Sequence, residues 1–205
     1  MNREINKEEL TYIFKRYTEK FIEEITNLNS RLELYDQIFD YRDEIANNSY
    51  FMSLVLSSFS KDIIMTLSKF YENMIRRKNS DYDINDYLNL CEKIYNSEIY
   101  FFKYSDISNK IEEHKKRIEE MKDVVNKLLV WRDKKIAHFD KEPFINRKFL
   151  IEEAPISKKE LEQLKKIIID ILNTYSYAYS GKIYAYRHKS INNLDIKKII
   201  NSSKD

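Results

Sequence analysis

Apolar side chains recur at steps of three and four residues along the first part of the chain. They are Leu10, Phe14, Tyr17, Phe21, Ile25, Leu28, Leu32, Tyr35 and Phe39. Because an α-helix has 3.6 residues per turn, side chains at this spacing form an apolar stripe on one helix face. The stretch therefore predicts one long amphipathic helix or two such helices in series.

Four more stripes of the same kind follow along the chain. The second contains Met52, Leu56, Phe59, Ile63, Leu67, Phe70 and Met74, and the third contains Ile84, Tyr87, Leu88, Cys91 and Ile94. The fourth contains Ile107, Ile111, His114, Ile118, Met121, Val125 and Leu128, and the fifth contains Leu161, Leu164, Ile168, Leu172, Tyr175 and Tyr179. Each stripe predicts a further amphipathic helix.

Polar residues in front of three of these stripes predict where the helices begin. The "NNS" at 47–49 and Asp83 supply side-chain oxygens that can accept hydrogen bonds from the first backbone N–H groups of a helix. We expect the fourth helix to begin near Ser105 or Asp106.

The borders of the fifth helix are predicted more sharply. Pro143 and Pro155 bracket a connection that we expect to be irregular. Ser157 and Glu160 then form a capping box, in which each side chain bonds the backbone N–H of the other residue. Gly181 follows the stripe and predicts the end of the helix.

Glycine and proline, which interrupt helices and form tight turns, are nearly absent, with 1 Gly and 2 Pro in 205 residues. Together with the five stripes, this predicts an all-α fold, an antiparallel bundle of four to five helices. The length is that of one ordinary domain. We assign the helical bundle to residues 1–180 and a basic C-terminal extension to residues 181–205.

Charge and cysteine content limit the class of protein only loosely. The net charge is +2, so RNA binding would depend on a local basic patch. Cys91 is the single cysteine, which excludes an internal disulfide and agrees with a cytoplasmic location, the one we expect. The N-terminal "MNREINKEEL" lacks an apolar signal core, and we expect that no stretch of the chain approaches a membrane span.

The segment after the fourth stripe, "WRDKKIAHFDKEP", contains the candidate site. Arg132 occupies the next position of the stripe, so its guanidinium is predicted on or just off the core-facing seam. A charge there needs a partner or an open cleft. One interpretation is structural, with Arg132 paired to a carboxylate such as Asp133, Asp140 or Asp62.

The other interpretation is catalytic and involves Arg132 together with His138. An imidazole titrates near neutral pH, so it can accept a proton from a ribose 2′-OH or donate one to a leaving 5′-oxygen. A guanidinium can stabilise the negative charge that develops on the phosphate. This chemistry needs no metal, and the sequence contains no metal-ligand spacing or Gly-rich phosphate loop. We therefore predict no cofactor.

The motif "RDKKIAH" resembles the signature of the HEPN superfamily, in which an arginine and a polar residue precede a histidine by a few positions. Arg132, Asp133 and His138 match that signature. The segments "FSKDIIMTLSKFYE", "YDINDYLNLCEKI" and "WRDKKIAHFD" are similar to the abortive-infection, AbiU-type branch. The resemblance covers roughly residues 50–180.

The resemblance implies a function as well as a fold. Active members of the superfamily are metal-independent ribonucleases of toxin or phage-defence systems, and they dimerise so that both motif copies line one cleft. It therefore implies a homodimeric endoribonuclease that acts on RNA by general acid–base transesterification. Arg132, His138 and Asp133 would be the catalytic residues, and Lys134, Lys135 and Asp140 are the candidates for substrate contact.

Two departures from the family pattern bear on these roles. Asp133 replaces the more usual Asn, and a carboxylate beside the phosphate would repel substrate unless it pairs with Arg132 or orients His138. Asp140 stands where some members have a Tyr that a partner nucleotidyltransferase modifies with AMP. An antitoxin or a nucleotidyltransferase is thus a partner that the resemblance allows, although modification at this position is not expected.

A different class of function stays open beside the enzyme. The chain could be a non-catalytic HEPN module for dimerisation or RNA binding, or a plain helical interaction protein. His114 is predicted to be a core histidine bonded to a neighbour. Tyr184, Tyr186 and Arg187 are further candidates for stacking on bases.

Overall fold

The computed structural model describes residues 6–43, 50–75, 83–97, 106–137 and 149–186, together with 198, 199 and 202. Within these residues the protein is an all-α helical bundle without β-strands, as predicted. Its elements are α1 (Lys7–Phe39), α2 (Tyr50–Phe70), α3 (Glu72–Ile75), α4 (Ile84–Asn96), α5 (Ile107–Glu120), α6 (Lys122–Trp131), a π-helical turn (Arg132–Ala137), α7 (Phe149–Glu153) and α8 (Lys158–Ser180).

Helix α1 is the central element of the bundle. It is one continuous helix of 33 residues, which decides between the two alternatives for the first stripe. The side chain of Asn6 accepts a hydrogen bond from the Glu9 backbone N–H at 2.8 Å and so caps its first turn. The apolar stripe is buried against α2, α4 and α8. Tyr17 and Tyr35 are partly buried, and the end of the stripe differs from the prediction, because Ile38 is buried there and Phe39 is exposed.

The predicted caps of α4 and α8 are confirmed. Asp83 Oδ1 accepts hydrogen bonds from the backbone N–H groups of two residues in the first turn of α4. Ser157 and Glu160 form the complete capping box in front of α8. Gly181 ends that helix in the left-handed region, with a φ of 71°, where a side chain would cost energy. The "NNS" at 47–49 lies outside the described residues.

Three local features differ from the prediction. The fourth stripe is not one helix, because α5 and α6 are separated at Met121, whose N–H donates to the Ile118 carbonyl oxygen at 3.0 Å. The second stripe is interrupted at Tyr71 in the same way, and α3 begins after it. Short helix α7 lies within the connection that was expected to be irregular.

The N-terminal half of α2 is apolar and exposed. The side chains of Tyr50 and Phe51 are 81% and 67% exposed, and Leu54 is 48% exposed. By length and composition alone α2 is apolar enough to cross a membrane, and only a third of its most apolar window is buried. The expectation that no stretch approaches a membrane span is therefore wrong for α2. Core helices of soluble proteins meet the same criterion, and the second half of α2 contributes Ile63 and Leu67 to the core.

The first residues of the C-terminal extension pack onto the bundle. The Asn29 side chain on α1 donates a hydrogen bond to the Tyr186 carbonyl oxygen at 3.0 Å, and the Tyr184 N–H donates to the Asn173 side chain at 3.0 Å. Tyr186 is 4% exposed and belongs to the core, so its predicted role in base stacking is wrong. Arg187 lies outside the described residues, and the boundary at residue 180 stays a prediction.

Candidate functional site

Arg132 lies at the junction of α6 and the π-helical turn, with its side chain buried. Residues Val125 and Leu128 precede it on the buried face of α6, and only 8% of Arg132 is exposed. The predicted position of its guanidinium on the core-facing seam is confirmed. A buried cation requires charged or polar partners in its immediate surroundings.

Two carboxylates provide these partners. Arg132 Nη1 is 3.1 Å from Glu72 Oε1, and Arg132 Nε donates to Asp133 Oδ1 at 2.9 Å. Asp133 was among the predicted partners, whereas Glu72 was not. Asp62, another predicted partner, instead pairs with Arg31 at 2.6 Å.

The break at Tyr71 explains why Glu72 can reach Arg132. The Tyr71 side chain is fully buried, and its hydroxyl donates to the Leu164 carbonyl oxygen in α8 at 2.7 Å. Because α2 ends there, the short helix α3 packs against α6, with Glu72 as its first residue. No spacing in the sequence indicates this contact, since Glu72 lies off the apolar stripe and far from Arg132 along the chain.

Among the described residues, two carboxylates lie within ion-pair distance of the single guanidinium. The side chains of Glu72 and Asp133 are 18% and 19% exposed, so both carboxylates are largely shielded from solvent. At such short distances and in this partly buried setting, each one stabilises the guanidinium. Arg132 is thus held in one orientation. A fixed orientation is what the guanidinium needs to direct its N–H donors at a phosphate oxygen.

The end of α6 and the π-helical turn that follows it are hydrogen-bonded to residues 153 and 154, which come after the segment 138–148 in the chain. Trp131 Nε1 donates to the Ala154 carbonyl oxygen at 2.7 Å. Lys134 Nζ donates to both carboxylate oxygens of Glu153, at 2.6 and 2.8 Å. Wide helical turns of this kind often occur at functional sites. These bonds therefore hold the residues just before the segment 138–148 against the residues that follow it.

Two of the predicted site residues cannot be placed in this geometry. His138 and Asp140 lie outside the described residues, as does the side chain of Lys135. Of the six predicted residues, the structure brings Arg132 and Asp133 into contact with each other. It places Lys134 in the same turn, paired with Glu153.

His114 has the core role that the sequence predicted. It is 1% exposed, its Nδ1 is 3.1 Å from the Tyr175 hydroxyl, and its Nε2 is 3.6 Å from Asp170 Oδ2. Burial lowers the pKa of His114 below its ordinary value, which favours the neutral ring. Among the described residues, no group of three His, Cys, Asp or Glu side chains is placed to bind a metal ion.

Comparison with protein families identifies the chain. A family model described as AbiU2, of the HEPN type, matches residues 12–197. The match includes most of α1, which the sequence resemblance at residues 50–180 had left out. Comparisons with curated proteins and with solved structures give no match. Since the family model spans well over half of the sequence, the chain belongs to the AbiU2 family of HEPN domains, a family related to abortive infection.

Proposed function

We propose that the protein is a metal-independent endoribonuclease of a phage-defence or toxin system. It acts as a homodimer in the cytoplasm, and Arg132 and His138 of both chains line one cleft. Membership of an abortive-infection HEPN family supports the class of function. The observation that carries the assignment to Arg132 is its buried guanidinium, oriented by Glu72 and Asp133 at the helix end that precedes His138.

The proposed reaction is a transesterification within the RNA strand. His138 of one chain accepts the proton of a ribose 2′-OH, and the 2′-oxygen forms a bond to phosphorus. The bond from phosphorus to the 5′-oxygen breaks, and that oxygen takes a proton from His138 of the partner chain. The products are a 2′,3′-cyclic phosphate and a 5′-hydroxyl. A dimer suits this reaction because it supplies two imidazoles, one as base and one as acid.

Arg132 and Asp133 have different roles in this scheme. The guanidinium of Arg132 stabilises the negative charge on the non-bridging phosphate oxygens, and this contact strengthens as charge develops in the transition state. Asp133 orients that guanidinium through its contact at 2.9 Å. Lys134, Lys135 and Asp140 are the proposed substrate contacts, and an antitoxin or nucleotidyltransferase is a candidate neutralising partner.

The test is RNA cleavage in excess EDTA by the wild type, Arg132→Ala and His138→Ala, followed by analysis of the RNA end groups. We expect cyclic phosphate ends from the wild type and no cleavage by either variant. Arg42→Ala, which removes an exposed arginine, and His188→Ala are the matched controls. Far-UV circular dichroism checks that each variant is folded. Cleavage that survives His138→Ala would contradict the proposal.

One observation favours a second candidate, a HEPN module that binds RNA or dimerises without cutting. Both contacts of the Arg132 guanidinium described here are made by carboxylates of the same chain, which compete with a phosphate. If this candidate is correct, wild-type protein binds RNA or forms dimers but releases no cyclic phosphate ends under any condition in which it remains folded.

A further inference from the structure

A cleft of about 700 Å³ lies between α1 and the C-terminal part of α2. Its inner wall is aromatic, since it contains Phe21 and Phe70, which are buried, and the partly buried Tyr17. At the opening stands Tyr12, whose side chain is 64% exposed. A cavity with these walls can accommodate a flat, unsaturated ring between aromatic side chains.

Cationic side chains surround the opening of this cleft. Arg16, Lys20 and Lys69 all line it and reach solvent. Arg16 pairs with Glu19 and Lys20 pairs with two glutamates, but these pairs are exposed and contribute little. Among the described residues, Lys69 has no ion pair. The three cations are therefore available to an incoming anion at small cost.

Glu72 connects the cleft to the candidate site. Its side chain lines one end of the cleft, and its Oε1 is 3.1 Å from Arg132 Nη1. A ligand in the cleft is therefore separated from the motif arginine by one carboxylate. Glu72 and Glu24 are the acidic residues of the lining, and both already contact a cation, Arg132 and Lys20 respectively.

We propose that this cleft binds a base of single-stranded RNA that flanks the cleaved phosphate. The inference rests on the proposed function and names how the substrate is held. An aromatic wall beside basic side chains is the arrangement by which proteins bind single-stranded nucleic acid without reading its sequence. The apolar inner wall suits a base, and the cations at the opening suit the phosphates on either side of it. The cleft therefore holds RNA through stacking and charge.

The experiment measures binding of a fluorescein-labelled, 2′-O-methylated RNA strand of about ten nucleotides to the full chain by anisotropy. This probe cannot be cleaved, because its 2′-oxygens carry no proton. We expect the double variant Tyr12→Ala/Lys69→Ala to raise the Kd about fivefold or more, as loss of one stacked base predicts. The slope of log Kd against log salt should fall by about 0.7, the value for one lost phosphate contact on a single strand.

The matched control is Tyr95→Ala/Lys93→Ala on α4, which removes an exposed tyrosine and an exposed lysine away from the cleft. Equal Kd values and salt slopes for the two double variants would overturn the inference. So would loss of dimerisation by the cleft variant with unchanged RNA affinity, since the cleft would then bind a second copy of the chain. Cleavage by the wild type with an unaffected cleft variant would remove this inference and leave the proposed function. Weakened binding without any cleavage would overturn the proposed function and, with it, the placement of the base beside a cleaved phosphate, and would leave the cleft as an RNA-binding site of a non-catalytic module.

Discussion

Arg132 and Glu72 form an ion pair of 3.1 Å between the π-helical turn and the first residue of α3. The pair joins two parts of the chain that are far apart in sequence, and α3 also packs against α6, the helix that ends at this turn. Since Arg132 is only 8% exposed, removal of its side chain leaves Glu72 and Asp133 as partly buried carboxylates without their cation. Arg132 therefore has a structural contribution that must be separated from any role in catalysis.

A double-mutant cycle measures that structural contribution. We expect Arg132→Ala to lower the free energy of unfolding by about 1–3 kcal/mol, the usual cost of leaving a buried hydrogen-bonding group without its partner. In the Glu72→Ala background the same substitution should lower the free energy of unfolding by less, since only one carboxylate is then left without its cation. Urea denaturation followed by circular dichroism gives each free energy.

Arg31 and Asp62 provide the comparison for this cycle. They form a pair at 2.6 Å between α1 and α2, but their side chains are 32% and 46% exposed. Because solvent screens such a pair, its coupling energy should be about 0–1 kcal/mol and below that of Arg132 and Glu72. Equal coupling energies in the two cycles would show that the burial of Arg132 has no energetic consequence.

Asp133→Asn tests the departure of this chain from the usual family motif. The substitution removes a negative charge beside the proposed phosphate site, and the amide oxygen can still accept the hydrogen bond from Arg132 Nε. Removing a like-charge interaction of about 1 kcal/mol corresponds to about fivefold in affinity. We expect kcat/KM for RNA cleavage to rise by about that factor, mainly through a lower KM.

Asp123→Asn is the control for this prediction. Asp123 is an exposed residue in the first turn of α6, so the substitution makes the same change in net charge on the helix that precedes the π-helical turn. It should leave KM unchanged. A lower kcat for Asp133→Asn would instead indicate that the carboxylate itself takes part in the reaction.

The sequence predicted those parts of the molecule that depend only on residues close to each other in the chain. The five apolar stripes predicted the main helices, and the capping box of α8 followed from the spacing of Ser157 and Glu160. The break at Met121 was missed because no Gly or Pro marks it, and the turn there uses ordinary backbone angles. Local spacing alone gives no sign of it.

The same distinction applies to the candidate site. The contact of Arg132 with Asp133 joins adjacent residues, and it could be expected from the sequence. The contact with Glu72 depends on where α2 ends, which depends in turn on the burial of Tyr71 against α8. Such a partner is fixed by packing between distant segments and has no signature in the spacing of residues.

Lys134 tests the proposed contacts to the RNA backbone. Its ion pair with Glu153 is partly exposed, with side-chain exposures of 30% and 38%, so separating the pair costs about 0–1 kcal/mol. We expect Lys134 to exchange Glu153 for a phosphate when RNA binds. Lys134→Ala should then weaken RNA binding and lower its salt slope by about 0.7, whereas Glu153→Gln should tighten binding by up to about fivefold.

The specific readout is Glu153→Gln in the Lys134→Ala background. If Glu153 competes with the RNA phosphate for Lys134, Glu153→Gln has no effect on RNA affinity once Lys134 has been replaced. Glu119→Gln, which removes the carboxylate of the exposed pair between Lys122 and Glu119, controls for the change in net charge. Glu153→Gln alone, Glu153→Gln with Lys134→Ala, and Glu119→Gln could all tighten RNA binding by the same factor. That result would show that Lys134 makes no contact with RNA.

His114 makes the stability of the fold depend on pH. Burial is the largest influence on the pKa of His114 and lowers it, and Arg117 acts in the same direction, while Asp170 and Glu113 raise it. The unfolded chain therefore binds the proton more tightly than the folded protein does. The stability that the neutral ring provides is complete above its unfolded pKa of about 6.5. It is lost as the pH falls from there towards the lower pKa of the folded state.

Urea denaturation across roughly pH 5 to 8 measures this loss for the wild type and for His114→Gln. The variant will be less stable at neutral pH, because it replaces a buried ring that contacts the Tyr175 hydroxyl. The informative quantity is the change with pH, which should be smaller in His114→Gln than in the wild type or in the control His188→Gln. Whether stability rises or falls with pH depends on the pKa of His114 in the folded protein. NMR titration of the His114 ring measures that pKa independently. An NMR pKa above the ordinary value, with stability rising on acidification, would mean that Asp170 outweighs burial at this position.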